Sequence, residues 1–150
     1  MFFAIDLATV THGIQLAVAP VFLLTAVAAM IGTVAGRLAR IVDRARLLED
    51  RIEAAPAGNP MAPAYGELEL LRMRGGLVNA CIALLTFCAI LIGLTIVALF
   101  IGETTEMQIL RIATVSFLSG VFCFLLALLC FLAETLLATR MLKFGKARNG

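Results

Sequence analysis

Long apolar stretches alternate with short polar stretches along the chain, and three of the apolar stretches are long enough to cross a bilayer. The first (14–36) and the second (76–101) contain no charged residue, and the third (112–138) contains only Glu134. A membrane-spanning α-helix needs about 20 predominantly apolar residues, so all three stretches satisfy the length requirement. The pattern predicts an all-α protein with three transmembrane helices.

The composition supports this assignment. Of the 150 residues, 62% are hydrophobic, whereas a soluble domain is about 45–50% apolar. The excess apolar surface predicts a lipid bilayer as the partner of a single three-span domain (1–150). The formal net charge of +2 is small and scattered, so nothing in it indicates a nucleic-acid partner.

The basic residues predict an orientation. Eleven of the twelve Lys and Arg residues lie between the first and second spans or in the tail after the third (139–150), and Arg111 is the exception. Short cytoplasmic segments of membrane proteins are enriched in Lys and Arg. We therefore expect the N-terminus outside and the C-terminus inside. The eleven residues are Arg37, Arg40, Arg44, Arg46, Arg51, Arg72, Arg74, Arg140, Lys143, Lys146 and Arg148.

The segment between the first two spans (37–75) is predicted to be a cytoplasmic helical hairpin. Apolar residues from Leu38 to Ile52 recur at steps of three and four, which is one face of an α-helix. Three prolines and two glycines in 54–66 predict a break, and helical character resumes at Glu67. An alternative is a basic amphipathic helix that lies flat on anionic headgroups. Acidic residues interrupt the basic face, which favours the hairpin.

Two blocks of the sequence resemble a known family. The block "IQLAVAPVFLLTAVAAMIGTVAGRLARIVDRARLLED" (14–50) looks like the opening of a bacterial membrane-protein family named domain of unknown function 2721. The block "ELELLRMRGGLVNACI" (67–82) is similar to the second block of that family. The later half resembles the family only in its pattern of spans. The resemblance implies a multi-pass protein of the bacterial inner membrane and brings no catalytic residues with it.

Small residues form two stripes on the predicted spans. Close approach of transmembrane helices depends on small side chains, so the stripes predict packing surfaces within a three-helix bundle or its oligomer. The stripe of the third span ends at a carboxylate. The two stripes consist of Ser116, Gly120, Cys123, Ala127, Cys130 and Glu134 in the third span and Ala28, Gly32 and Gly36 in the first.

Glu134 is the one charge inside a predicted span, and such a carboxylate is a candidate functional residue. Arg37, Arg74 and Asn79 are expected at a similar depth on the neighbouring helices. We expect Glu134 to form an ion pair or a hydrogen bond within this set. The alternative is a path for protons or ions lined by Glu134 and Asn79.

The four cysteines occur as two pairs with a spacing of seven, Cys81 with Cys88 and Cys123 with Cys130. Antiparallel packing would bring Cys81 towards Cys130 and Cys88 towards Cys123. The spacing differs from that of structural zinc sites, and free cysteine often packs as a small hydrophobe. We expect packing, with a metal, haem or disulfide site as the alternative, and we predict no cofactor.

The only histidine, His12, is expected to cap the first span at the outer interface. No phosphate-binding glycine loop or nucleophile elbow occurs in the sequence, so an enzyme is not predicted. The sequence favours a structural or interaction protein, either self-associating as a homo-oligomer or an accessory subunit of a larger membrane complex. The alternative function is a small oligomeric ion or proton channel or transporter.

Overall fold

The computed structural model describes residues 7–55, 62–102 and 107–146. Several predictions fall outside the described residues: the centre of the proline-rich break (56–61) and the basic residue Arg148 of the tail. The side chains of His12 and Arg140 also lie outside the described part.

The described residues form three α-helices, α1 (Leu7–Glu53), α2 (Ala62–Gly102) and α3 (Met107–Lys146). α1 passes the end of the first apolar stretch at Gly36 and continues through the arginine-rich segment without interruption. Its last turn closes where the Ala54 N–H donates to the Asp50 carbonyl at 3.0 Å. The periodicity after Gly36 therefore predicted the helix correctly.

The predicted starting point of the second helix is wrong. α2 begins at Ala62 rather than Glu67, so it includes Pro63 and Gly66. Proline is tolerated in the first helical turn, because the N–H that it lacks has no partner there. α3 extends into the predicted tail (139–150) and ends at Lys146.

All three helices are long and apolar enough to cross a membrane, judged by length and composition. The qualifying segments are Ala17–Glu53, Pro63–Ile101 and Arg111–Thr139. Large apolar side chains cover their outer faces, for example Phe22 (71% exposed) and Leu118 (65% exposed). Extended exposed apolar surface of this kind is typical of contact with lipid or with other proteins.

The buried positions follow a seven-residue repeat on each helix. Seven residues correspond to almost two turns, so residues at this spacing share one face. Glu134 occupies a position of this repeat that is apolar elsewhere on α3. The repeating positions are Val27, Val34 and Ile41 on α1, Leu71, Val78, Leu85 and Ile92 on α2, and Ala113, Gly120, Ala127 and Glu134 on α3.

The chain divides into two compact units, each built from segments of all three helices. Unit 1 comprises Met1–Ile31 and Leu84–Leu125. In unit 1, Ser116 Oγ donates to the Leu91 carbonyl at 2.9 Å. A Cβ atom added at Gly120 would lie 2.9 Å from Cδ1 of Ile92, so a larger residue here would require the Ile92 side chain to shift.

Unit 2 comprises Gly32–Ala83 and Leu126–Gly150. Its core contains Ile41, Leu68 and Leu71, so the start of α2 covers the apolar face of the arginine-rich part of α1. Two ion pairs connect the same helix segments on their exposed sides. Arg44 Nη2 lies 2.6 Å from Glu67 Oε1, and Arg72 Nη2 lies 3.0 Å from Glu49 Oε1. α1 and α2 thus pack against each other over this region.

The two predicted small-residue stripes have different surroundings. On α3, Gly120, Ala127 and Glu134 are buried, and Ser116, Cys123 and Cys130 are half-buried. On α1, Ala28, Gly32 and Gly36 are exposed, and a Cβ atom added at either glycine would meet no atom within 4 Å. Among the residues that the structure describes, none packs on the two glycines of the α1 stripe, because Val27, Val34 and Ile41 form the buried face of α1.

Candidate functional site

The buried carboxylate of Glu134 is the most unusual chemical feature of the molecule. Its side chain is 1% exposed, and it is the one charged residue that is buried among the residues that the structure describes. Removing a carboxylate from water without partners is strongly unfavourable. The carboxylate therefore requires cations or hydrogen-bond donors from its surroundings.

Two arginines supply those donors, and each binds a different oxygen of Glu134. Arg37 Nη1 donates to Oε2 at 3.0 Å. Arg74 donates to Oε1 from Nη2 at 2.7 Å and from Nε at 3.2 Å. Arg37 lies on α1, Arg74 on α2 and Glu134 on α3, so one carboxylate joins all three helices of unit 2. We call these three residues the Glu134 cluster.

Neighbouring side chains fix the guanidinium of Arg37. Its Nη1 also donates to Thr135 Oγ1 at 3.3 Å, and its Cζ lies 4.6 Å from the centre of the Phe131 ring. A guanidinium over an aromatic face gains a cation–π interaction. The Arg37 side chain is 35% exposed and that of Arg74 is 18% exposed. The cluster thus has its carboxylate inside and its more accessible cation on α1.

The helical periodicity explains why these three residues meet. Arg37 lies three residues after buried Val34, and Arg74 lies three residues after buried Leu71. A spacing of three places a side chain on the same helical face. Both arginines therefore point to the side that holds Glu134, which follows buried Ala127 by seven residues.

A cleft of about 330 Å³ lies beside the cluster, and we call it the arginine cleft. Arg40 and Arg44 contribute to it because they follow Arg37 at steps of three and seven, on one face of α1. Ile41 and Leu71 provide apolar walls. Four arginines against one glutamate make the lining cationic. The lining residues are Arg37, Arg40, Ile41, Arg44, Leu71, Arg74 and Glu134.

The fourth predicted candidate, Asn79, has a different environment. Its side chain is exposed on α2. It follows Arg74 by five residues, which corresponds to a rotation of about 140° around the helix axis. The structure therefore brings Glu134 together with Arg37 and Arg74 but places Asn79 on another face.

The cysteines show the spatial pairing expected from antiparallel helices. The thiol of Cys81 is close enough to that of Cys130 for an electrostatic interaction, and the same holds for Cys88 and Cys123. All four are free thiols, and Cys81 Sγ donates to the Ala127 carbonyl at 3.3 Å. In the described ranges, no group of three or more His, Cys, Asp or Glu side chains is arranged to hold a metal ion.

Sequence reasoning missed the arginine cleft and the second contacts of Arg37. The spacing Arg37–Arg40–Arg44 was the available signal for the cleft, since it places three arginines on one stripe. No comparable signal predicts that Arg37 stacks on Phe131, because this contact depends on the relative position of α1 and α3 in unit 2.

The comparisons with known proteins identify a family but no activity. A family model described as "Protein of unknown function (DUF2721)" matches residues 17–144, which include every member of the Glu134 cluster. No curated protein and no solved structure matches the chain.

Proposed function

The chain belongs to the DUF2721 family, and from the geometry of its buried carboxylate we propose that it is a non-enzymatic, multi-pass protein of the bacterial inner membrane that acts through association. It would be a self-associating protein or an accessory subunit of a larger membrane complex. The observation that carries the proposal is the fully partnered state of Glu134.

A carboxylate that carries protons or ions must release and regain its partners during each cycle. Glu134 instead accepts hydrogen bonds from Arg37 and Arg74 on both oxygens, and only 1% of its side chain is accessible. A buried ion pair with additional hydrogen bonds is costly to break. This arrangement favours a fixed structural connection between helices over a conducting path.

The exposed small-residue stripe of α1 provides a surface for association. Ala28, Gly32 and Gly36 share one face and leave open space above the backbone of both glycines. Helices in lipid associate through van der Waals contact at such small residues, since lipid offers no hydrophobic driving force between them. We infer that α1 of a second copy, or a helix of another subunit, packs on this stripe.

The proposed location follows from the charge distribution. Eleven of the twelve basic residues flank the apolar stretches on one side, and this side is cytoplasmic under the positive-inside rule. The paired segment of α1 and α2, with its Arg44–Glu67 and Arg72–Glu49 ion pairs, would then extend into the cytoplasm and could present a second contact surface to a partner.

The molecular mass of the protein in mild detergent, measured by native mass spectrometry, tests the proposal. We expect an oligomer or a co-purifying membrane subunit in the wild type. The Ala28→Leu and Gly32→Leu variants should dissociate, because a large side chain prevents close helix approach. Ala26→Leu is the matched control, since Ala26 is exposed on α1 but lies about 160° from Ala28 around the helix.

Two results would contradict the proposal. One is a strictly monomeric wild type without any bound subunit. The other is a proton or ion flux into liposomes that Glu134→Gln abolishes while the melting temperature is unchanged, which would instead support the channel function.

A further inference from the structure

The arginine cleft contains more positive charge than its carboxylates neutralise. Both oxygens of Glu134 already accept hydrogen bonds from Arg37 and Arg74. Arg44 is paired with Glu67 at 2.6 Å. Four arginines thus face two carboxylates, and among the residues that the structure describes no ion pair involves Arg40. An anion that entered the cleft would therefore meet uncompensated guanidinium groups.

The geometry of the cationic lining suits an anion with several oxygens. Arg37, Arg40 and Arg44 are spaced by three and four residues, so their side chains occupy one face of α1. Each guanidinium presents a planar set of donors that matches phosphate oxygens in pairs. The volume of about 330 Å³ falls at the lower end of the range for small-ligand sites, which starts at about 300 Å³.

The sequence places this cleft at the level of lipid headgroups. Arg37 is the first charged residue after the charge-free stretch 14–36, so it marks the end of the apolar region of α1. Anionic phospholipids concentrate their phosphates at this depth, and basic pockets between membrane helices on the cytoplasmic side bind such headgroups. Ile41 and Leu71 add apolar walls beside the arginines.

We propose that the arginine cleft binds a phosphate group and that the headgroup of an anionic phospholipid supplies it. We expect Arg40 to contribute most to binding of the phosphate, because the other three arginines already form ion pairs with carboxylates of the protein. This inference goes beyond the proposed association, since binding at the cleft does not depend on the oligomeric state.

Thermal unfolding of the full-length protein in a non-ionic detergent tests the inference. A thiol-reactive fluorophore reports unfolding, because Cys81 and Cys88 are buried in the folded protein. The probes are phosphatidylglycerol, phosphatidylcholine with the same acyl chains, and inorganic phosphate, all at one ionic strength. A ligand that binds only the folded state raises the melting temperature. We expect a saturable rise with phosphatidylglycerol and a much smaller one with phosphatidylcholine.

Arg40→Gln locates the binding, and Arg46→Gln is its matched control, because Arg46 is exposed on the same helix and does not line the cleft. Loss of a charged hydrogen-bonding partner should weaken the apparent affinity for phosphatidylglycerol roughly tenfold. Arg46→Gln should retain the wild-type affinity. Counting lipids bound to each variant by native mass spectrometry gives a second measure that does not depend on the melting temperature.

The outcomes distinguish the two sources of phosphate. A rise with inorganic phosphate alone that Arg40→Gln removes would keep the cleft as a phosphate site and overturn its assignment to lipid. An equal response of Arg40→Gln and the wild type to phosphatidylglycerol would overturn the cleft assignment. If neither phosphatidylglycerol nor inorganic phosphate raises the melting temperature, the whole inference is overturned.

Discussion

At Glu134, a single carboxylate accepts hydrogen bonds from arginines on two other helices, so its loss affects all three. Removal of one partner from a buried ion pair leaves an uncompensated charge, which is worse than removal of the complete pair. The loss of stability caused by substitution of Glu134 therefore distinguishes a structural ion cluster from a side chain that merely extends into water.

We predict that Glu134→Leu destabilises the protein by at most about 3–5 kcal/mol, the cost of breaking a well-buried pair. The cost arises mainly at Arg74, which is 18% exposed, because water screens the charge of Arg37 at 35% exposure. Glu134→Gln should cost less, since the amide oxygen still accepts a hydrogen bond. Adding Arg74→Leu to Glu134→Leu should restore part of the stability. Chemical or thermal unfolding of single and double variants in one detergent measures the coupling.

Glu69→Leu is the control for this series, because Glu69 is an exposed acid of α2 and surface substitutions usually change stability by less than about 0.5 kcal/mol. A wild-type melting curve for Glu134→Leu would end the ion-pair interpretation.

A second residue-scale prediction concerns the thiols. Replacement of Cys81, Cys88, Cys123 and Cys130 together by Ala or Ser should leave a folded helical protein, because these side chains pack as small apolar groups. Circular dichroism measures the fold and elemental analysis measures bound metal. Stoichiometric zinc, iron or haem in the wild type that the variant lacks would show that packing is the wrong assignment.

At the scale of the helices, glycine has opposite roles on α1 and α3. Gly120 faces Ile92 at a distance that admits no larger residue without movement, whereas Gly32 has open space in front of it. The same residue type therefore serves internal packing on one helix and leaves a free surface on the other.

We predict that Gly120→Leu lowers stability by about 1–3 kcal/mol through overpacking. Gly32→Leu should leave the stability of the monomer nearly unchanged, since no atom lies within 4 Å of the added Cβ. Unfolding at a detergent concentration that keeps both variants monomeric measures the difference. Equal destabilisation by the two substitutions would contradict the packing described for α3.

The whole molecule has an orientation that the charges predict and that can be measured directly. Tags at the C-terminus and near Gly58 should be accessible from the cytoplasm, because eleven of the twelve basic residues lie in the segments that carry these tags. A tag before Asp6 should be accessible from the periplasm. Protease accessibility in spheroplasts and inverted vesicles reports each position. If the C-terminal tag is cleaved only from the periplasmic side, a cytoplasmic N-terminal tag would overturn the orientation, and a periplasmic N-terminal tag would overturn the number of spans.

The sequence by itself determined the helical class, the number of apolar helices and the family. The helical class and the number of helices depend on local composition and periodicity, because charge-free runs of more than 20 residues and steps of three and four are properties of one segment at a time. The family follows from the resemblance of the blocks 14–50 and 67–82, and the match over residues 17–144 confirms it. The continuation of α1 beyond Gly36 belongs to the same level. The sequence predicts a start of α2 at Glu67 rather than Ala62 because proline and glycine indicate a break, although the first helical turn tolerates proline.

Only the tertiary structure decided which polar residue joins the carboxylate and which small residues are buried. Asn79 and Arg74 are equally plausible partners of Glu134 in the sequence, but the face that α2 turns towards α3 in unit 2 selects Arg74. The stripes of α1 and α3 look alike in the sequence, yet α1 buries Val27 and Val34 and leaves Gly32 exposed. The rotation of each helix about its axis results from the packing of all three helices at once, and a single segment does not contain that information.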